Sequence, residues 1–195
     1  FAAVDDICIA VNMGSTNLEV CADRRGEQLV PLTTGSITGN EVDRRVANYV
    51  EEETQGRVNI DLTTAREYKE THTDFESFEP FTDIIQQPGG GSHEFTIEDS
   101  VMDAANEYVD EVVDEIANGF LPELANSYMK VYQLALDKPI VLTGGMACLP
   151  GIVDVVEERL SEELKRDVDV IRAERPDLAA AEGAHEIADH LSGSL

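Results

Sequence analysis

The residues of this chain best placed to do chemistry are polar groups at glycine turns. Asn12-Met13-Gly14-Ser15-Thr16-Asn17 joins two apolar runs as a tight hairpin. Glycine lets a backbone approach a phosphate closely, and the Ser15 and Thr16 hydroxyls with free N–H groups offer donors to its oxygens. The same string also suits a plain polar turn. A second spot is Leu142-Thr143-Gly144-Gly145-Met146, where a strand runs into paired glycines ahead of a helix. Such a loop admits a flat ligand against the backbone, or serves only as a strand-to-helix turn. The third spot is Lys69-Glu70, a cation and a carboxylate on a short helix that could grip a sugar hydroxyl or a phosphate, or form an ordinary exposed pair.

Three short apolar runs, residues 7–11, 18–22 and 28–32, are separated by Gly14-Ser15 and by residues 23–26, and read as a meander of antiparallel strands. Gly35 and Gly39 then break the chain. Val42, Val46, Tyr49 and Val50 recur at helical spacing behind Asn40 as a cap. From 51 to 97 the apolar density falls, and charged residues, threonines, two prolines and Gly89-Gly90-Gly91 dominate. This stretch reads as a small inserted α+β subdomain, with a helix over 63–70 capped by Thr63 and a hairpin of 75–87 with 94–97 turning at the glycines. Ile97, Val101, Ala104, Ala105, Tyr108, Val112, Val113 and Ile116 then mark an amphipathic helix whose other face is acidic. Residues 121–136 continue helically, 139–142 form a buried strand, 151–165 a helix, 168–171 a strand and 176–191 a last helix. The expected fold is α/β: a mixed five-stranded sheet flanked by helices, in which the meander is extended by two parallel strands with crossover helices. Residues 1–50 and 98–195 would form the large subdomain and 51–97 the small one.

Composition narrows the function. The chain has 195 residues, with 40 Asp and Glu against 14 Lys and Arg, a net charge of -26. That argues against a nucleic-acid binder, which needs a basic face, and against electrostatic attachment to anionic lipid. So much like charge suits a medium of very high salt, where screening is nearly complete, and the reading is a salt-adapted cytoplasm. No apolar run approaches the roughly 18 residues of a membrane span, and no signal peptide is seen. Cys8, Cys21 and Cys148 lack Cys-x-x-Cys spacing and are expected to be reduced, buried small hydrophobes. The chain starts at Phe1 and enters a strand within about six residues, so something is expected to precede it.

Common catalytic signatures are absent: there is no Gly-x-x-x-x-Gly-Lys-Ser/Thr loop, no Gly-x-Ser-x-Gly elbow and no His-Glu-x-x-His. His185 and His190, five apart, do not share a helix face as zinc ligands would.

Taken in order, the segments resemble the C-terminal half of the actin-like ATPases, nearest to the bacterial MreB branch. Residues 11–20 lie where that family has its second phosphate hairpin. Thr38-Gly39-Asn40-Glu41-Val42-Asp43 is similar to its glycine and helix after the meander, and Thr64-Ala65-Arg66-Glu67-Tyr68-Lys69-Glu70 to its ribose-contacting helix. Residues 140–151 resemble its adenosine loop, the most specific of these matches, and Ala181-Glu182-Gly183-Ala184 the start of its closing helix. The resemblance implies a lobe that clamps ATP or ADP with Mg2+ against an N-terminal lobe absent from this chain. The implied nucleotide-binding residues are Asn12, Gly14, Ser15, Thr16, Gly39, Lys69, Glu70, Gly144, Gly145 and Met146. Asn12 would also hold the metal indirectly, through water. Glu19 stands where the family orients attacking water, although a carboxylate between Leu18 and Val20 could simply face solvent. The family usually has aspartate at the position of Asn12 and glycines at those of Ser15 and Thr16. An amide accepts a hydrogen bond from metal-bound water but brings no negative charge, which implies slower hydrolysis or a differently held metal.

The resemblance further implies a filament-forming, cytoplasmic cytoskeletal protein of a salt-loving archaeon, whose partners are copies of itself and its own N-terminal lobe, and whose slow ATPase is coupled to polymerisation. The isolated chain is expected to be inactive. Two other readings keep the fold: a non-polymerising nucleotide switch of chaperone or division-protein type, and a small-molecule kinase.

Overall fold

The computed structural model describes residues 7–87, 91–179, 181–183 and 185. The meander is formed by β1 (Ile7–Met13), β2 (Leu18–Arg24) and β3 (Glu27–Thr34). Alternation of small or apolar side chains puts Ile9, Val11, Met13, Leu18, Val20 and Ala22 into the core. Cys8, Ala10 and Asn12 consequently share the opposite face with Glu19, Cys21 and Asp23. Between Val20 and Ala22 the pairing of β2 with β3 slips by a residue, and Val30 there takes φ 49°. This bulge, with Pro31 after it, fits an edge strand, because proline has no N–H to give a further neighbour.

After the meander comes α1 (Gly39–Glu53), which buries Val42, Val46 and Val50. Its cap is Thr38 rather than the expected Asn40: Thr38 Oγ1 accepts from the Glu41 N–H at 3.1 Å, leaving Asn40 as the second helical residue. The next helix, α2 (Leu62–His72), starts one residue before the expected Thr63 cap, and Asp61 Oδ1 accepts from the Thr64 N–H at 2.8 Å. In both cases the capping residue is the last extended one, a backbone property that composition alone does not fix.

A separate two-stranded sheet follows, β4 (Phe81–Gln87) antiparallel to β5 (Gly91–Ile97). Its first strand begins at Phe81 and not at Phe75, which instead lies in a turn held by Asp74. Tyr68 of α2 donates its hydroxyl to Asp83, and the His72 ring stacks on Phe81 with centroids 3.5 Å apart, so this hairpin is fastened to α2.

Next is α3 (Ser100–Asp114), three residues later than Ile97, which ends β5. A π-helical turn, Glu115–Phe120, leads into α4 (Leu121–Ala135). Two parallel strands, β6 (Ile140–Thr143) and β7 (Val170–Arg172), are joined through a 3-10 turn at Gly145–Cys148 and α5 (Ile152–Leu164). The five strands lie in the order β3-β2-β1-β6-β7, antiparallel within the meander and parallel from β1 to β7. That is the mixed sheet expected from the sequence. Of the last helix, the described residues give a turn at 176–178 and helical positions at 179, 181–183 and 185, while Ala184 and His190 lie outside them. None of the three cysteines is in a disulfide, and only Cys8 is buried. Cys148 is exposed, contrary to expectation.

Candidate nucleotide corner

Three segments far apart in the chain meet at one corner of the sheet. Asn12 and Glu19 are directly opposed across β1 and β2, and Asn12 also pairs with Thr143 of β6. The hairpin turn is closed by the Gly14 N–H donating to Asn17 O at 2.9 Å. Ser15 and Thr16 stand exposed at its tip. The start of α1 is pinned to this tip, because Gly39 N donates to Gly14 O at 3.0 Å and Asn40 N to Ser15 O at 2.9 Å.

Those bonds decide what the helix start can offer. A free helix N-terminus presents N–H groups to anions. Here the Gly39, Asn40 and Glu41 amides already donate to Gly14 O, Ser15 O and Thr38. An anion would therefore meet the hairpin tip and not the end of α1.

Two glycines mark close approaches at the corner. A Cβ on Gly39 would lie 3.2 Å from Met146 Sδ and 3.3 Å from Ser15 Cα, so Gly39 is the point where hairpin, α1 and the loop after β6 touch. Gly144 has φ +89°, and a Cβ there would come within 2.5 Å of Met13 O and 2.6 Å of Asn12 Oδ1. Only glycine fits. Gly145, by contrast, borders open space. The loop is anchored from outside by Gly144 N and Thr143 Oγ1, which both donate to Pro176 O, at 2.7 and 2.9 Å.

Lys69 sits behind this corner, buried. Its Nζ lies 2.6 Å from Asp43 Oδ1 and donates to Gly39 O at 3.2 Å. Asp43, with 1% of its side chain exposed, is also paired with Arg66 Nε at 2.9 Å, and Arg66 donates to Asn40 Oδ1 at 3.0 Å. The expected exposed pair on α2 is thus divided: Lys69 locks α2 to α1, and Glu70 alone is exposed. Asp43 and Arg66 are partners that the sequence did not single out. Asp43 lies one residue after Val42 on the same inward side of α1, and an acid so close to a buried stripe is a signal for a buried partner.

On the outer face of the sheet, a cleft of about 280 Å3 is lined by Asn12, Glu19, Cys21, Asp23 and Thr143 among others. Glu19 borders it with both carboxylate oxygens engaged: Asn12 Nδ2 donates to Oε2 and Asn17 Nδ2 to Oε1, each at 3.0 Å. Cys21 is no nucleophile here, since burial, reinforced by Asp23, pushes its thiol up to about 11. A larger concavity, about 570 Å3, lies between α1 and α3, but it is rimmed by Glu52, Glu53, Asp99, Asp103, Glu107 and Asp110, which repel an anion.

The corner, unlike that flank, is nearly free of acids. Residues 7–18, 28–40 and 138–153 contain no Asp or Glu in a chain of net charge -26, and they supply the hairpin, the approach to α1 and the loop after β6. Buried strands account for part of this, and other acid-free stretches exist, such as 124–136. At the exposed tip Ser15-Thr16 burial is no explanation, and the gap in the acidic coat suits a site for an anion.

Comparison with known proteins gives the family and the fold. The profile of the Salactin family matches residues 1–192. Salactin of Halobacterium salinarum is 69% identical over 189 residues, which is 97% of this chain and 52% of that protein, so the chain spans about half the length of the curated relative it matches. Among solved structures, MreB5 of Spiroplasma citri bound to ADP superposes with a TM-score of 0.74 at 15% identity, over 97% of this chain and 55% of that one. The MamK double helical filament gives 0.74 at 22% identity, over 93% and 54%. At these identities the likeness establishes the fold, which is actin-like.

Proposed function

The chain belongs to the Salactin family, and from that premise we infer that it is part of an ATP-binding, filament-forming actin-like protein of the cytoskeleton of a halophilic archaeon. The observation that carries this reading is the convergence of the hairpin, the start of α1 and the Gly144 loop on one acid-poor corner. Relatives of the fold support the ligand and the assembly: MreB5 is known bound to ADP and to AMPPNP, and MamK as a double helical filament.

The corner fits a nucleotide. The Ser15 and Thr16 hydroxyls at the exposed tip would meet the phosphates, and Gly145, beside open space, would let a flat base rest on the backbone. Glu70, exposed on α2, would meet a sugar hydroxyl. Lys69 supports that region from behind, through Gly39 O and Asp43. Asn12 brings a neutral amide, and no group of three or more His, Cys, Asp or Glu that could hold an ion occurs among the described residues. The donor set therefore suits a Mg2+ that keeps its waters and arrives on the phosphates, with Asn12 accepting from one of those waters. When bound, Mg-ATP would supply the phosphoryl group and its charge neutralisation; Glu19 would orient the attacking water from the cleft. In the organisation inferred here, residues 1–50 with 98–195 form the larger part of one lobe, 51–97 an inserted smaller part, and the remaining half of the protein the opposing lobe of the clamp, in the cytoplasm.

Sedimentation of the full-length protein in molar KCl with magnesium, comparing ATP, ADP and no nucleotide, tests the proposal. ATP-dependent pelleting with filaments visible by microscopy is the expected result. A protein that binds ATP but stays in the supernatant would instead be a nucleotide switch, and one that binds no nucleotide would remove the reading.

A further inference from the structure

An aspartate at position 12 would face Glu19 directly across the strand pair, carboxylate to carboxylate. The register places the two residues opposite each other, and Asn12 Nδ2 is 3.0 Å from Glu19 Oε2. Like charges so opposed destabilise a strand pair, whereas an amide donates to the carboxylate. Asn17 completes the arrangement from the other side. It lies two residues before Glu19, where a turn leads into β2, and its Nδ2 reaches the second oxygen at 3.0 Å. Gly14 makes room for it: a Cβ on Gly14 would stand 2.9 Å from Asn17 Oδ1 and 2.8 Å from Asn17 O. Three residues of one hairpin thus act on one carboxylate.

We propose that Asn12 and Asn17 are positioning residues that clamp Glu19 by both oxygens, fixing its carboxylate at the mouth of the outer-face cleft with no cation needed to neutralise a second acid. The two amides order Glu19 from within the hairpin itself. A carboxylate bonded at each oxygen has lost its freedom to rotate, which is what orienting a water requires. The use of the clamp in hydrolysis rests on the ATP-binding reading above. The clamp itself does not.

The experiment uses the full-length protein in molar KCl, with two independent readouts. The first is the thermal midpoint without nucleotide for the parent, N12D, E19Q and N12D/E19Q. N12D is expected to lower the midpoint by about 1–2 °C, through the lost amide-to-carboxylate bond and the opposed like charges. N12D/E19Q restores one amide and one carboxylate with their places exchanged, and is expected to recover most of that loss. A midpoint for N12D equal to the parent's, or a double variant no better than N12D, would overturn the clamp. The second readout is steady-state ATP hydrolysis beside binding of a fluorescent ATP analogue. N17A is expected to lower kcat about tenfold with KM and analogue affinity unchanged, N17Q to recover part of the loss, and N12D/E19Q to stay slow although its stability has returned. Equal kcat in N17A and the parent would overturn the positioning role. If the parent binds no analogue, the functional reading fails on its own, and the midpoints still decide whether the clamp exists.

Discussion

At the corner where Gly14, Gly39 and Gly144 meet, the Glu19 carboxylate borders the cleft and two amides hold it. On the flank between α1 and α3, Glu52, Glu53, Asp99, Asp103, Glu107 and Asp110 surround a single groove. Helix α1 joins the two regions, with its first turn pinned to the hairpin and its last turn in the acidic groove. The difference shows that the charge of this chain is placed rather than spread. Acids crowd on the flank, where bulk salt can screen them, and are few at the corner, where the proposed nucleotide would approach. The acid that does lie behind the corner, Asp43, is buried and matched by two cations.

Asp43→Ala breaks this contrast most severely. It leaves Lys69 buried without its partner and should cost about 3–5 kcal/mol in denaturant unfolding, with little dependence on KCl because the site excludes the salt. A loss that instead disappears in molar KCl would mean that the pair behaves as a surface one. Gly144→Ala comes next. It forces an L side chain into a positive φ and against Met13 O, and about 3 kcal/mol of stability should be lost together with nucleotide affinity. Unchanged affinity would separate the Gly144 loop from the site.

A smaller effect is expected on the flank. Glu53, at the end of α1, accepts from the Glu98 N–H at 2.5 Å, from the Ser100 N–H at 3.1 Å and from the Ser100 hydroxyl, and so caps α3 in place of Asp99, whose side chain makes no cap bond. Glu53→Ala should cost about 1–2 kcal/mol and speed amide exchange in the first turn of α3 without altering nucleotide binding. The smallest change tests the crowding itself. Burial first, then Asp99, Glu107 and Glu53, raises the Asp103 carboxyl above its ordinary value. A carboxyl raised in the folded state adds stability below its unfolded value and loses it as pH rises through the folded one, so ionised Asp103 is a burden at neutral pH. Asp103→Asn should therefore stabilise by a few tenths of a kcal/mol at pH 7 and low salt, and by less both in molar KCl and below about pH 4. Stabilisation that grows with salt would contradict the screening account.

Much of this molecule was legible in its sequence because the signals are local. The alternation of β1 and β2, the Val42, Val46, Val50 stripe and the buried run at Ile140–Thr143 follow from spacing alone, and the mixed five-stranded sheet follows from their order. The glycine turns were legible too, since a positive φ or a close approach leaves few other choices. Caps were misplaced, at Asn40 and Thr63, because which residue is the last extended one depends on what the preceding loop is tied to. For α1 that is the hairpin, a contact between residues more than twenty positions apart.

Residue types and spacing thus determined the elements, the glycine loops and the acid-poor stretches. Tertiary structure alone decided that Lys69 turns inward to Asp43, that the first amides of α1 are used up on the hairpin, and that Glu19 is held from both sides. Each of these depends on a partner brought near by folding, and the strength of a charge or a hydrogen bond is set by what surrounds it.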